Sequence, residues 1–212
     1  MPPLNLPSRG LTALLSTLFT SVLLAPPASL WAQGVSVGAQ VGLVSSRQLV
    51  RGGDPSQARS GFLAGAFVEV DTPGAWLGVL AEASFTRRGG RFALQGGQVG
   101  EVRADYLVFA VSPVVRRRLG AVSLFVYGGP SLETHLQVRA AAELAAAYRE
   151  PSDQIFSAQL GAGLEANLAG MLRLRLEARH VEGLSPAFDS SAGEFRHRSR
   201  ELLLRLGRSR AR

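Results

Sequence analysis

The sequence predicts an all-β chain, eight antiparallel strands in an up-and-down barrel with apolar side chains outside and charges inside. Three observations carry that expectation. Between residues 171 and 180, Leu172, Leu174, Leu176 and Ala178 alternate with Arg173, Arg175, Glu177 and Arg179. A side-chain period of two belongs to a strand. The same alternation recurs in eight segments, and their connections alternate between tight Pro/Gly turns and long polar links, which gathers every tight turn at one end.

The first element is a processing segment. Arg9 precedes an apolar run over residues 11–24, Pro26 and Pro27 break it, and Leu30-Trp31-Ala32 offers a small residue for cleavage before Gln33. The run matches a signal-peptide core and is shorter than the roughly 20 residues of a spanning helix. Residues 1–32 are therefore expected to be a signal peptide and residues 33–212 the barrel domain. No Cys follows the cut, and the chain contains none, which excludes a lipid-bearing cysteine, a disulfide framework and thiolate chemistry.

The strands follow. Residues 35–44 set Val35, Val37, Ala39, Val41 and Leu43 against Ser36, Gly38, Gln40 and Gly42. Residues 61–71 set Phe62, Ala64, Ala66, Val68 and Val70 against Leu63, Gly65, Phe67 and Glu69. Residues 76–88 oppose Leu77, Val79, Ala81, Ala83 and Phe85 to Leu80, Glu82, Ser84 and Thr86, ending in Arg88. Residues 104–118 oppose Leu107, Phe109, Val111 and Val115 to Tyr106, Val108, Ala110, Ser112 and Arg116; Pro113 cannot donate to a ladder and is expected near a bulge or strand end. Residues 122–134 oppose Leu124, Val126 and Leu132 to Phe125, Tyr127, Ser131 and Glu133. Residues 157–168 oppose Ala158, Leu160, Ala162, Leu164 and Ala166 to Gln159, Gly161, Gly163 and Glu165. The segment at 171–181 is the seventh, and residues 200–206 close the series with Leu202, Leu204 and Leu206 against Glu201, Leu203 and Arg205. Tight turns are expected at Thr72-Pro73-Gly74-Ala75, Leu119-Gly120-Ala121 and Ala169-Gly170, and long links at 46–60, 89–102, 135–156 and 182–198. Residues 140–148 are Ala-rich and fit one short helix in the third link.

Sidedness decides the medium. The apolar faces hold no charge, whereas the opposite faces hold Glu69, Glu82, Glu133, Glu165, Glu177 and Glu201 with Arg88, Arg116, Arg173, Arg175, Arg179 and Arg205. A soluble barrel would bury all twelve charges in an apolar calyx, or leave its apolar rows in water. Hydrocarbon outside and paired charge inside satisfies both constraints, so the barrel is expected to be transmembrane, in the bacterial outer membrane, with tight turns and termini periplasmic and long links external. Eight strands enclose a bore that side chains can fill. Inward glycines (Gly38, Gly65, Gly129, Gly161, Gly163) leave room for long Arg and Glu side chains, and the twelve charges are expected to form an interior network. Trp76, Phe62 and Phe85 stand near strand ends, where an aromatic girdle belongs.

The segment Asp105-Tyr106-Leu107-Val108-Phe109-Ala110-Val111-Ser112-Pro113-Val114, then Phe125-Val126-Tyr127-Gly128-Gly129-Pro130-Ser131-Leu132 and Gly161-Ala162-Gly163-Leu164-Glu165, resembles bacterial outer-membrane β-barrel proteins of the porin-like or PorT-like family. The resemblance implies a barrel over about residues 34–206 and carries no catalytic residues. Two departures stand out: Val108-Phe109-Ala110 replaces the family's Glu-Ile-Pro, and the chain ends Leu206-Gly207-Arg208-Ser209-Arg210-Ala211-Arg212, without the terminal aromatic that assembly machinery recognises.

The remaining polar residues offer few candidates for chemistry. His197-Arg198-Ser199 with Glu201 faintly resembles the His-x-Ser arrangement of lipid A deacylases, but Arg200 stands where those enzymes have Asn. His180 ends an apolar face and His135 opens a link without a ligand partner in sequence, so no metal site is expected. Gly89-Gly90 and Gly96-Gly97 lack the Lys-Ser/Thr of a phosphate loop. The excess of seven basic charges is all Arg, dispersed singly among leucines or at strand ends, which argues against nucleic acid. The expectation is thus a non-enzymatic outer-membrane barrel without cofactor. Its partners are membrane lipid and lipopolysaccharide, the barrel-assembly machinery, and an unidentified surface or periplasmic protein. Arg47, Arg51, Arg59, Arg87 and Arg91 are candidates for lipopolysaccharide phosphates. The rival readings are a small-solute porin and an outer-leaflet lipid-modifying enzyme.

Overall fold

A computed structural model describes residues 34–50, 56–94, 97–145, 148, 152–168, 171–190 and 193–209. The expected signal peptide, the Ala169-Gly170 turn, Arg51 and Gly96 lie outside the described residues. Nine strands form one antiparallel sheet: β1 Val35–Val50, β2 Arg59–Asp71, β3 Leu77–Ala93, β4 Val99–Leu119, β5 Val122–Ala140, β6 Ile155–Asn167, β7 Leu172–Gly183, β8 Phe188–Ser190 and β9 Gly193–Ser209. Neighbours pair in chain order through β7, which pairs with β9, and β9 closes on β1 from Ser36/Ser209 to Val50/Phe195. β8 stays outside this ring and makes a short hairpin with β9. The ring is therefore an eight-stranded up-and-down barrel.

Alternation dictates which way each side chain points. Leu43 is 69% exposed and Leu160 65%, while Arg88 is 1% and Arg205 0% exposed. Water would not tolerate that distribution; lipid requires it.

Strands run further toward the long links than the apolar alternation reaches. β1 continues to Val50, β3 to Ala93 and β5 to Ala140, while β4 begins at Val99 and β9 at Gly193. The links at 89–102, 135–156 and 182–198 are thus partly strand, and within 140–148 the described residues hold one 3₁₀ turn, Ala142–Leu144, in place of the expected helix. Past the hydrocarbon the outer face meets water and the inner face must seal the bore, so polarity inverts. Val102, Ala104, Tyr106, Ile155, Phe188 and Phe195 pack inside as one apolar cluster with Tyr148, while Arg91, Arg196 and Arg200 point out.

Local features fit their residues. In the β2–β3 turn the Ala75 N–H donates to the Thr72 carbonyl at 2.8 Å and Ala75 takes φ 55°, while Gly120 takes φ 67° between β4 and β5. Pro113 is neither at a bulge nor at a strand end. It lies mid-strand where the β4–β5 ladder is open between Ala110/Ser131 and Val114/Tyr127, opposite a stretch holding Pro130. Two residues without N–H share the one gap. The register shift of that pair lies further up, at Asp105/Tyr106. At the closing seam Gly38 faces Gly207, and the Phe67 ring covers both: a Cβ would fall 2.8 Å from Phe67 Cε1 at Gly38 and 2.9 Å from Cζ at Gly207. Gly161 likewise lies beneath the Tyr127 ring, whereas Gly163 makes room for Glu177. Inward glycines therefore accommodate aromatic rings as well as charged chains.

Candidate functional site

The polar interior is built in tiers, because each strand contributes one inward side chain every second residue. Nearest the tight turns, Glu69 and Asp71 of β2 and Glu165 of β6 meet Arg116 of β4 and Arg173 and Arg175 of β7. Arg116 Nη1 donates to Asp71 Oδ1 at 2.7 Å and Arg173 Nη2 to Asp71 Oδ2 at 3.2 Å. Arg175 reaches Glu165 Oε2 at 2.5 Å and Glu69 Oε1 at 2.6 Å, and Arg116 also binds Glu69. Three carboxylates face three guanidiniums.

A ring of aromatics separates this tier from the next. The Arg175 guanidinium of this tier and the Arg205 guanidinium of the next both lie over the Phe67 ring, 5.9 Å and 5.4 Å from its centroid, with Phe125 and Tyr127 in the same cluster. Above it, Arg205 Nη2 donates to Glu82 Oε2 at 2.7 Å and Glu177 Oε1 at 2.8 Å, and the Tyr127 hydroxyl donates to Glu177 Oε1 at 2.7 Å. Arg179 binds Glu82, Gln159 Oε1 at 3.2 Å and, through Nε, Glu201 Oε2 at 2.7 Å. Glu201 then hands the chain to Arg88 at 3.0 Å, and Arg88 Nη1 donates to Glu133 Oε2 at 2.5 Å. Of the twelve charges named from sequence, eleven are buried and Arg173 partly so. Asp71 and His197 also belong to the column. Asp71 shares the parity of Glu69 and was legible as its neighbour; His197 lies on a strand extension that carries no apolar outer face.

His197 does not engage Ser199. The Ser199 hydroxyl donates to Glu201 Oε1 at 2.9 Å. His197 Nε2 instead lies 3.2 Å from Glu133 Oε2, 2.9 Å from Arg88 Nη1 and 3.4 Å from Ser157 Oγ, while its Nδ1 has no partner. A nucleophile relay needs the acid on one ring nitrogen and the hydroxyl on the other; here both crowd the same one. His135 sits on β5 rather than in a link, with Nδ1 3.0 Å from the Ser152 carbonyl and its ring 4.6 Å from Tyr106 and 4.9 Å from Phe188. Burial lowers its pKa. His180 is outward and 3.4 Å from Glu182. Among the described residues no group of three His, Asp or Glu is placed to hold a metal ion.

The outer rim at the loop end is rich in arginine, mostly engaged. Arg87 grips Asp105 at 2.8 and 3.2 Å, Arg91 binds Glu101 at 2.7 Å with Arg59 at 3.6 Å, and Arg198 grips Glu182 at 2.5 and 2.9 Å. The Arg91 guanidinium holds the Glu101 carboxyl below its ordinary pKa, and Arg198 does the same to Glu182. Among the phosphate candidates, Arg59, Arg87 and Arg91 are thus spoken for by carboxylates, whereas Arg47 has no polar partner among the described residues. The Phe62 and Phe85 rings lie 5.7 Å apart, tilted at 36°, with the Arg87 guanidinium 4.8 Å from the Phe62 centroid.

A closed ring with lipid-facing apolar rows and a charged interior defines an integral outer-membrane barrel. The chain belongs to the outer membrane protein beta-barrel domain family, whose model matches residues 12–196. No curated protein matches it in sequence. Among solved structures it is similar to the outer membrane protein OprG of Pseudomonas aeruginosa, at 10% identity and TM-score 0.57 over 85% of this chain and 97% of that one. Neisserial surface protein A aligns at 10% identity and TM-score 0.50 over 80% and 96%. The outer membrane enzyme PagL aligns at 18% identity and TM-score 0.45 over 80% and 97%. A fold does not fix a chemistry, so the barrel by itself leaves catalysis open.

Proposed function

We propose that this chain is a non-enzymatic outer-membrane barrel that passes no solute, its charged interior serving as a structural column and its external end serving envelope contact, by binding lipopolysaccharide or a surface partner. The observation that carries the reading is the filled bore: an acid–arginine tier, an aromatic ring, a second charged tier and an apolar cap succeed one another along the axis. The cap also includes Tyr148, whose hydroxyl donates to Gln48 Oε1. Tight turns and termini face the periplasm and long hairpins face outward, as in barrels of this class.

Planar bilayers test it. The refolded protein is expected to give no discrete conductance steps, and reproducible steps from the intact protein overturn the sealed bore. Against catalysis stands the geometry of His197, whose acid and hydroxyl neighbours share one nitrogen. Incubation with radiolabelled lipid A is expected to release no fatty acid; release that His197→Ala abolishes would establish an enzyme instead.

A further inference from the structure

On the lipid-facing surface, β1, β2, β7 and β9 leave an apolar hollow of about 460 Å³. Register explains it. Val41 stands opposite Ala64 on one side and Leu204 on the other, and Leu43 stands opposite Phe62 and Leu202. The lone methyl of Ala64 among these larger side chains opens the space. Its volume falls within the roughly 300–1,000 Å³ of sites that bury small ligands.

Along the same outward rows the chemistry changes abruptly toward the loop end. Leu43 gives way to Ser45 and Arg47, and Leu202 gives way to Arg200 and Arg198. Ser45 pairs with Arg200 and Arg47 with Arg198, so these side chains stand side by side. Arg200 is one outward step above Leu202, about 7 Å along the strand. Arg198 is engaged by Glu182, which His180 also approaches at 3.4 Å, and Arg196 lies 3.7 Å from Glu194. Arg47 and Arg200 meet no carboxylate among the described residues. Two guanidinium forks therefore stay open at the rim, each able to grip a phosphate bidentately.

A hydrocarbon slot with open guanidiniums above it, Arg200 one outward step up from Leu202 and Arg47 two steps up from Leu43, matches one kind of molecule. A neutral lipid would leave the arginines unused, and a free anion would leave the slot unused. The loop end is the external end in this orientation, so the amphiphile is one of the outer leaflet. We propose that Arg47, Arg200 and the Val41–Ala64–Leu202 hollow form a binding site for a phosphorylated, multiply acylated glucosamine lipid. The arginines hold a headgroup phosphate and the hollow takes an acyl chain. The site deepens the lipid-contact part of the function proposed above and rests on its orientation, not on its sealed bore.

The test uses the full mature barrel in phosphatidylcholine nanodiscs, with bisphosphorylated hexa-acyl lipid A as probe and thermophoresis as readout. Arg47→Gln with Arg200→Gln is expected to weaken binding at least tenfold, and dephosphorylated lipid A should bind the parent protein with a comparable loss. Ala64→Trp fills the hollow from outside and should weaken binding of intact lipid A several-fold. Arg117→Gln, at the opposite rim, should change nothing. Different mobility of unheated and boiled protein on a detergent gel verifies that each variant is folded, and the dephosphorylated probe decides the matter on the parent alone if the double variant does not fold. Equal binding of phosphorylated and dephosphorylated lipid, or equal binding by the parent and the arginine variant, overturns the site. Conductance judges the sealed bore separately, so the two failures are distinguishable.

Discussion

Removing one guanidinium from the second charged tier should cost more than removing it together with its partner. Arg205 is 0% exposed and its Nη2 alone serves Glu82 and Glu177, while its Nε and Nη1 have no partner. In Arg205→Met, Glu82 keeps Arg179, but Glu177 keeps only the Tyr127 hydroxyl. An uncompensated buried carboxylate costs about 3–5 kcal/mol, whereas replacing both members of a buried pair is often neutral or better. Glu177→Gln in the same chain removes the stranded charge and preserves an acceptor for Tyr127. The double variant is therefore expected within about 1 kcal/mol of the parent, with a coupling of at least about 2 kcal/mol between the sites. Urea unfolding of the barrel in lipid vesicles, followed by gel mobility, measures it. With a slope of about 2 kcal/mol/M, Arg205→Met should lower the midpoint by about 1.5–2.5 M. A shift below about 0.5 M, or a double variant less stable than the single one, would refute the idea that charge pairing organises the interior.

Three further outcomes are expected. Leu204→Arg places a guanidinium on the lipid face near mid-strand and should cost about 2–4 kcal/mol in the same urea assay. Gly38→Val puts its Cβ 2.2 Å from the Leu206 carbonyl oxygen, a backbone atom that cannot give way, so the β1–β9 seam should fail to close and heat-dependent gel mobility should disappear. His135 takes its proton below the 6.5 of an unfolded imidazole because burial disfavours the charge. The unfolded chain therefore binds the extra proton first as pH falls, and stability should decline below about pH 6.5; urea midpoints from pH 7.5 to 5 should show a shallower decline in His135→Phe.

The parts of this molecule that touch hydrocarbon were legible, because lipid on one side and charge on the other force a strict period of two. Leu202, Leu204 and Leu206 against Glu201 and Arg205 need no further context. Beyond the membrane the rule reverses. Phe195, His197 and Ser199 turn inward while Glu194, Arg196, Arg198 and Arg200 turn out, so an apolar-outside criterion sees a polar link where β9 continues. That inverted alternation was present in the sequence and is the signal that finds the extension. Which carboxylate takes which arginine was not legible, since tiers join residues about a hundred positions apart, such as Arg179 with Glu82. Nor was the role of Phe67 over the glycine seam, which depends on the register of three strands.

The eight residues from Val99 through Tyr106 carry β4 past the point where Leu107 and Phe109 face lipid. At roughly 3.3 Å per residue and a tilt near 40°, that section stands about 20 Å above the bilayer. It is paired with β3 along its length and with β5 from Val102 onward, and is stoppered from within by Tyr148, Phe188 and Phe195. Such a section is a pedestal. A ligand held above such a section would stand at a set height from the lipid, and a pull on it would be borne by backbone ladders.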